Sequence, residues 1–148
     1  MTGFARLNFV TIGVADLGRA TAFYEAIGWT RSSASQPEIS FMKPTSGDGS
    51  RVILWSYDLL AEDAKLEAVE RNPREFRGQA LAVNVPTEED VTAALTAVEA
   101  AGGLILKPAT RAEWGGVSGY FADPDGYPWE VAYNPFFPLD DQGVVHLP

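Results

Sequence analysis

The chain contains no cysteine and a single histidine, His146, two residues from its last position. The first absence removes disulfides, thiolate nucleophiles, iron–sulfur clusters and thiolate zinc sites together. The second leaves one imidazole for all acid–base or metal chemistry, and its place in the tail reads as that of an ordinary surface residue. Cations are scarce: 11 Lys and Arg stand against 20 Asp and Glu, a net charge of −9. Affinity for a phosphate backbone comes largely from Lys and Arg, so neither nucleic acid nor an anionic membrane surface is an expected partner. No apolar run approaches the ~20 residues needed to span a bilayer. Met1-Thr2-Gly3-Phe4-Ala5-Arg6 lacks the charged leader and apolar run of a signal peptide, so a soluble, cytoplasmic protein is expected.

What is present suits one domain, with 46% hydrophobic and 11% aromatic residues in 148 to fill a core. Leu7 to Val14 is β-branched and strand-like, and Asp16 follows as a helix N-cap. Leu17, Ala20, Phe23, Tyr24 and Ile27 recur at helical spacing, and Gly28 tolerates the positive φ of a helix C-terminus. The order then repeats. Ala80 to Val85 is strand-like, Thr87 caps with Asp90 behind it, and Val91, Ala94, Leu95, Val98 and Ala101 form a stripe ending at Gly102-Gly103. Cap to glycine is 12 residues in the first copy and 15 in the second, a repeat of pattern and not of period.

Extended segments follow each glycine: Trp29 to Ala34, Ile39 to Lys43 and Arg51 to Tyr57, then Leu104 to Lys107, Arg111 to about Trp114, Gly119 to Ala122 and Pro128 to Tyr133. Both halves read β-α-β-β-β, an α+β class. The spacing predicts module 1 over about 5–57, a linker over 58–77 and module 2 over about 78–135, with a tail at 136–148. The linker carries a surface helix around Leu60, Ala64, Leu66 and Val69, stopped by Asn72-Pro73. Gly47-Asp48-Gly49-Ser50 lacks a P-loop lysine and reads as a hairpin turn.

Asp123-Pro124-Asp125-Gly126 is a turn with a mechanism: Pro124 presets φ, the aspartates bond nearby amides and Gly126 takes positive φ. The strand after it alternates, so Trp129, Val131 and Tyr133 share one face while Glu130, Ala132 and Asn134 share the other. If the aromatic set packs under helices, Glu130 looks into whatever the sheet encloses.

Val14-Ala15-Asp16-Leu17, Ala22-Phe23-Tyr24-Glu25 and Gly28-Trp29 resemble the first-module signature of the vicinal oxygen chelate superfamily, which includes glyoxalase I, bleomycin-resistance proteins and extradiol dioxygenases. Ala100-Ala101-Gly102-Gly103 and Asp123-Pro124-Asp125-Gly126 through Glu130 resemble its second-module signature. The run Trp114 to Gly126 with Trp129 to Pro135 is similar to a glyoxalase-like subgroup. The resemblance covers about residues 5 to 135. It implies two β-α-β-β-β modules forming a cup-shaped mixed sheet with helices outside, and a homodimer.

Metal-dependent members place ligands on the first and last strand of each module. Carried over, these positions fall on Phe9, on Leu54 (Trp55 if the register slips), on Ala80 (or Gln79) and on Glu130. Only Glu130 is a ligand type, and one carboxylate cannot hold a catalytic ion that ordinarily needs three protein ligands. No metal and no cofactor are therefore expected, and glyoxalase or ring-cleaving chemistry is disfavoured. The expected ligand-binding lining is Phe9, Thr11, Phe41, Leu54, Ala82, Asn84, Trp114, Tyr120 and Glu130, with Trp114 ahead of the flexible Gly115-Gly116. Glu130 is the candidate catalytic residue or anchor, with Asn84, Thr11 or Tyr120 as its partner. Three readings stay open: metal-independent binding of a small hydrophobic or planar molecule, an enzyme of lyase, isomerase or dioxygenase type using Glu130 as base or ligand, and a dimeric scaffold whose Phe9, Phe41 and Leu54 fill the cup.

Overall fold

The computed structural model describes residues 6–148. Module 1 comprises β1 (Phe9–Val14), α1 (Leu17–Ala26), β2 (Trp29–Arg31), β3 (Ile39–Pro44) and β4 (Arg51–Ser56). A short α2 (Tyr57–Asp63) leads into the linker. Module 2 comprises β5 (Leu81–Asn84), α3 (Glu88–Ala100), β6 (Leu104–Arg111), β7 (Val117–Ala122) and β8 (Pro128–Tyr133). The modules build equivalent four-stranded mixed sheets, ordered β1-β4-β3-β2 and β5-β8-β7-β6. In each, the first and last strands pair in parallel and the rest antiparallel.

The caps form where the sequence pattern puts them. Asp16 Oδ1 accepts from the Arg19 amide at 2.9 Å, and Thr87 and Asp90 close a reciprocal capping box. The helices end at Gly28 and Gly102, with φ of +104° and +93°, a region that favours glycine. One face of each sheet is packed: Ile12, Val14, Met42, Val52 and Leu54 with Ala20, Phe23 and Tyr24 of α1, and Val117, Phe121, Trp129 and Val131 with Val91, Leu95 and Val98 of α3, all in one cluster. Aromatic contacts join the halves, Phe23 to Phe121 and Trp29 to Trp129, with centroids 6.4 and 5.9 Å apart.

A buried polar network ties the turn before β8 to module 1. Tyr24 donates to Asp123 Oδ2 at 2.6 Å and accepts from Trp129 Nε1 at 3.0 Å, while Asp123 Oδ1 accepts the Asp125 and Tyr127 amides. Burial, then the charge of Asp123, holds the Tyr24 phenol well above its ordinary pKa. Asp125 accepts the Ala15 amide at 2.8 Å. Arg71 of the linker donates to the carbonyls of Gly13 and Asp125, and its guanidinium lies over the rings of Tyr57 and Tyr127.

Four expectations change. Leu54 does not face a cup: it is fully buried beside Ile12, because β4 presents Val52 and Leu54 to the helices and Ile53 and Trp55 to the other side. No strand forms at Arg111 to Trp114. Instead β6 continues through Pro108, and residues 112–116 close a turn in which Ala112 donates to Gly116 and Gly115 has φ +100°. The linker helix stops at Asp63, well before Asn72-Pro73, because Lys65 turns to φ +58° and Leu66 donates back to Ala61, ending the helix in the left-handed manner. Ala80 lies before β5 and is exposed.

Candidate functional site

The face of each sheet turned away from the helices carries the candidate site, and strand register decides which residues meet there. In module 2 one row runs Ala82, Glu130, Tyr120, Lys107 across four strands. The next row runs Asn84, Ala132, Ser118, Thr110. In module 1 the corresponding row is Thr11, Ile53, Phe41, flanked by Phe9 beside Arg51 and by Trp55 between Gly13 and Ile39. Thr11 and Ala82 each stand five residues before their helix caps, Asp16 and Thr87. Their partners Ile53 and Glu130 are therefore equivalent positions of the two modules.

The two rows differ in chemistry. Module 1 offers an apolar surface, with Phe9 and Phe41 edge to face at 6.2 Å. Near the end of β1, Gly13 is packed so closely against Tyr57 that an added Cβ would stand 2.9 Å from its Cα. Module 2 is polar. Tyr120 faces Glu130, and burial followed by the neighbouring carboxylate raises the phenol above its ordinary pKa; it thus keeps its proton for Glu130. Tyr120 is the register neighbour of Glu130, whereas Asn84 and Thr11 belong to other rows.

Lys107 lies outside the expected ligand-binding lining. Its Nζ stands 3.5 Å from the Ser118 hydroxyl and 5.9 Å from the centre of the Tyr120 ring. Strict alternation would place it with Ile105 and Ala109, which pack against the core. Register shifts on both sides, between Ile105 and Lys107 and between Lys107 and Thr110, turn it to the open face instead. A bulge re-aims a side chain in this way. The available signal was a contradiction: two apolar residues at even spacing around Lys107 would have buried an unpaired ammonium.

Phe9, Thr11, Phe41, Ala82, Asn84, Tyr120 and Glu130 thus lie on the helix-free faces, with Glu130 and Tyr120 brought together. Trp114 sits at the tip of the β6–β7 hairpin with its ring over Gly116, and Phe136 packs on Gly115. His146 bonds Asp140 at 3.0 Å within the tail, where it joins the turn that Asp140 caps.

The family model described as Glyoxalase/Bleomycin resistance protein/Dioxygenase superfamily matches residues 6–131. A glyoxalase-related enzyme from Fulvimarina pelagi is 34% identical, with 97% of this chain and 99% of that one covered and a TM-score of 0.84. The chain belongs to the glyoxalase/bleomycin resistance protein/dioxygenase superfamily. Two further members of the superfamily share the fold at lower identity. An enzyme from Burkholderia phytofirmans has 19% identity, 87% and 98% coverage and TM-score 0.70, and a protein from Nocardioides has 23% identity, 90% and 85% coverage and TM-score 0.70. None of the curated proteins is similar enough to count as a match.

Membership of the superfamily raises the question of a metal, and the donor set answers it. At the paired first- and last-strand positions stand Thr11, Ile53, Ala82 and Glu130, with Phe9 and Trp55 beside them. Among the described residues no three His, Cys, Asp or Glu side chains converge to hold an ion. One carboxylate and one hydroxyl do not fit the three-ligand requirement of a catalytic ion. Two surface grooves, of about 260 and 460 Å³, lie instead on the helical side, one between α3 and β6 and one between α1 and Pro124. We place the candidate site on the open face because Glu130 and Tyr120 stand side by side there.

Proposed function

We propose that the open face binds a small hydrophobic or planar organic molecule directly, without a metal ion, and that Glu130 anchors it. The observation that carries this reading is the equivalence of Ile53 and Glu130. Where metal-dependent relatives repeat a ligand in both modules, this chain keeps one carboxylate beside a phenol and sets an isoleucine opposite. Apolar walls with a few converging polar groups are the usual make-up of a small-molecule site. In this reading Phe9, Phe41, Ile53 and Trp55 of module 1 supply the walls, and Glu130, Tyr120 and Asn84 of module 2 supply the polar groups.

A panel of planar aromatic compounds titrated against the protein, read by quenching of tryptophan emission, tests it. Binding at micromolar concentration that weakens in Glu130→Gln supports the proposal. No binding by any compound would leave the scaffold reading in its place. A second reading, metal-free acid–base catalysis, is favoured by the Tyr120 phenol beside Glu130, a pair able to pass a proton to or from a bound molecule. Conversion of a bound compound by the native chain and not by Glu130→Gln would favour that reading.

A further inference from the structure

Among the described residues Lys107 is one of several cations without a carboxylate partner, in a chain of net charge −9, and its placement sets it apart from the others. Arg51 is engaged by Asp48, and Arg111 by Glu88 at 2.7 Å. Among the described residues no carboxylate pairs with Lys107 in this way; its neighbours are the Ser118 hydroxyl and the Tyr120 ring. Glu130 shares its row but lies two strand spacings off, about 10 Å at the backbone, and Tyr120 stands between them. A lysine on an edge strand also serves to block edge-to-edge pairing, and for that it needs only to reach solvent. Lys107 is instead half-buried, aimed by two register shifts onto the face that holds Glu130. Beside it, Leu104, whose register partner is Ala122 of the same face, and Leu106 are each more than half exposed. An ammonium beside a phenol ring, with an uncovered leucine on the same face, is a receptor for an anion carried on an apolar body.

We infer that Lys107 holds the anionic group of the bound molecule, and that the molecule is therefore an organic acid: a carboxylate on a flat apolar frame. This rests on the reading of the open face as a small-molecule site. The carboxylate accepts from Lys107 Nζ, the frame lies against Tyr120 and Leu104, and a donor at the far end of the molecule reaches Glu130.

Isothermal titration of the full chain with 2-naphthoate and with its neutral isostere 2-naphthamide separates the two readings. The acid is expected to bind about tenfold or more tightly than the amide, the worth of one charge-assisted hydrogen bond. Lys107→Met should bring the acid down to the level of the amide, and Lys107→Arg should keep the preference, with unchanged circular dichroism in both. Equal affinity for acid and amide in the native chain overturns the assignment of Lys107 and leaves the open-face reading standing. Lys107→Met that aggregates yet binds the acid as before also overturns it, in favour of an edge guard. Absence of binding by either compound at millimolar concentration overturns both readings.

Discussion

The hydroxyl of Tyr24 on α1 donates to the carboxylate of Asp123, 99 residues later in the chain, at 2.6 Å in the buried interior. This bond fastens the turn that launches β8, and so Glu130, to the helix of the other module. Tyr24→Phe keeps the ring packing but leaves Asp123 Oδ2 and Trp129 Nε1 without partners. Unpaired buried groups of this kind cost about 1–3 kcal/mol each. Urea unfolding should therefore show a loss of about 2–6 kcal/mol with an unchanged denaturant slope.

The same carboxylate sets a pH dependence. Burial pushes Asp123 up, against the opposing bonds from Tyr24 and Tyr127. The folded chain thus binds this proton more tightly than the unfolded one. Its contribution to stability is full below the ordinary carboxylate value of about 3.9 and is lost as pH rises through the raised value. The stability difference between the native chain and Asp123→Asn should widen as pH is lowered from 7 toward about 4. A difference that stays flat across that range would contradict this assignment.

Strand parity in β4 has its own test. Leu54→Ala empties a fully buried position and should lower stability by about 2–5 kcal/mol. Ile53→Ala, on the open face, should cost well under half as much and weaken ligand binding instead. Thermal unfolding and titration of both variants read the two effects separately.

The linker is held by Arg71, whose side chain is sandwiched between Tyr57 and Tyr127 and bonds two carbonyls. Arg71→Met removes those bonds and takes a cation from Asp125, which is 5% exposed. Limited proteolysis should then cut within residues 64–80 at least several times faster than in the native chain, since local opening governs cleavage. An unchanged rate would mean that the linker is held by other contacts.

Most of the fold was legible in the sequence because its signals are local: caps at Asp16 and Thr87, helical stripes, and glycines where the helices stop. The alternation of Trp129, Glu130 and Val131 likewise gave the face of the carboxylate. β4 was harder. Val52-Ile53-Leu54-Trp55 is apolar throughout, so periodicity fits either parity, and only the packing of Val52 and Leu54 beneath α1 decides between them. The face taken by Lys107 was hidden for another reason: a bulge breaks the period-2 rule that any strand reading depends on. The early end of α2 followed from left-handed backbone at Lys65, a conformation to which a lysine gives no clue.

We propose that Glu130 and the apolar residues of the open face hold an organic molecule with no ion between them. The affinity of the tightest compound in the aromatic panel, measured before and after exhaustive dialysis against EDTA, addresses it directly. The same dissociation constant is expected in both preparations. Binding that disappears with chelation and returns on addition of zinc or manganese would contradict it.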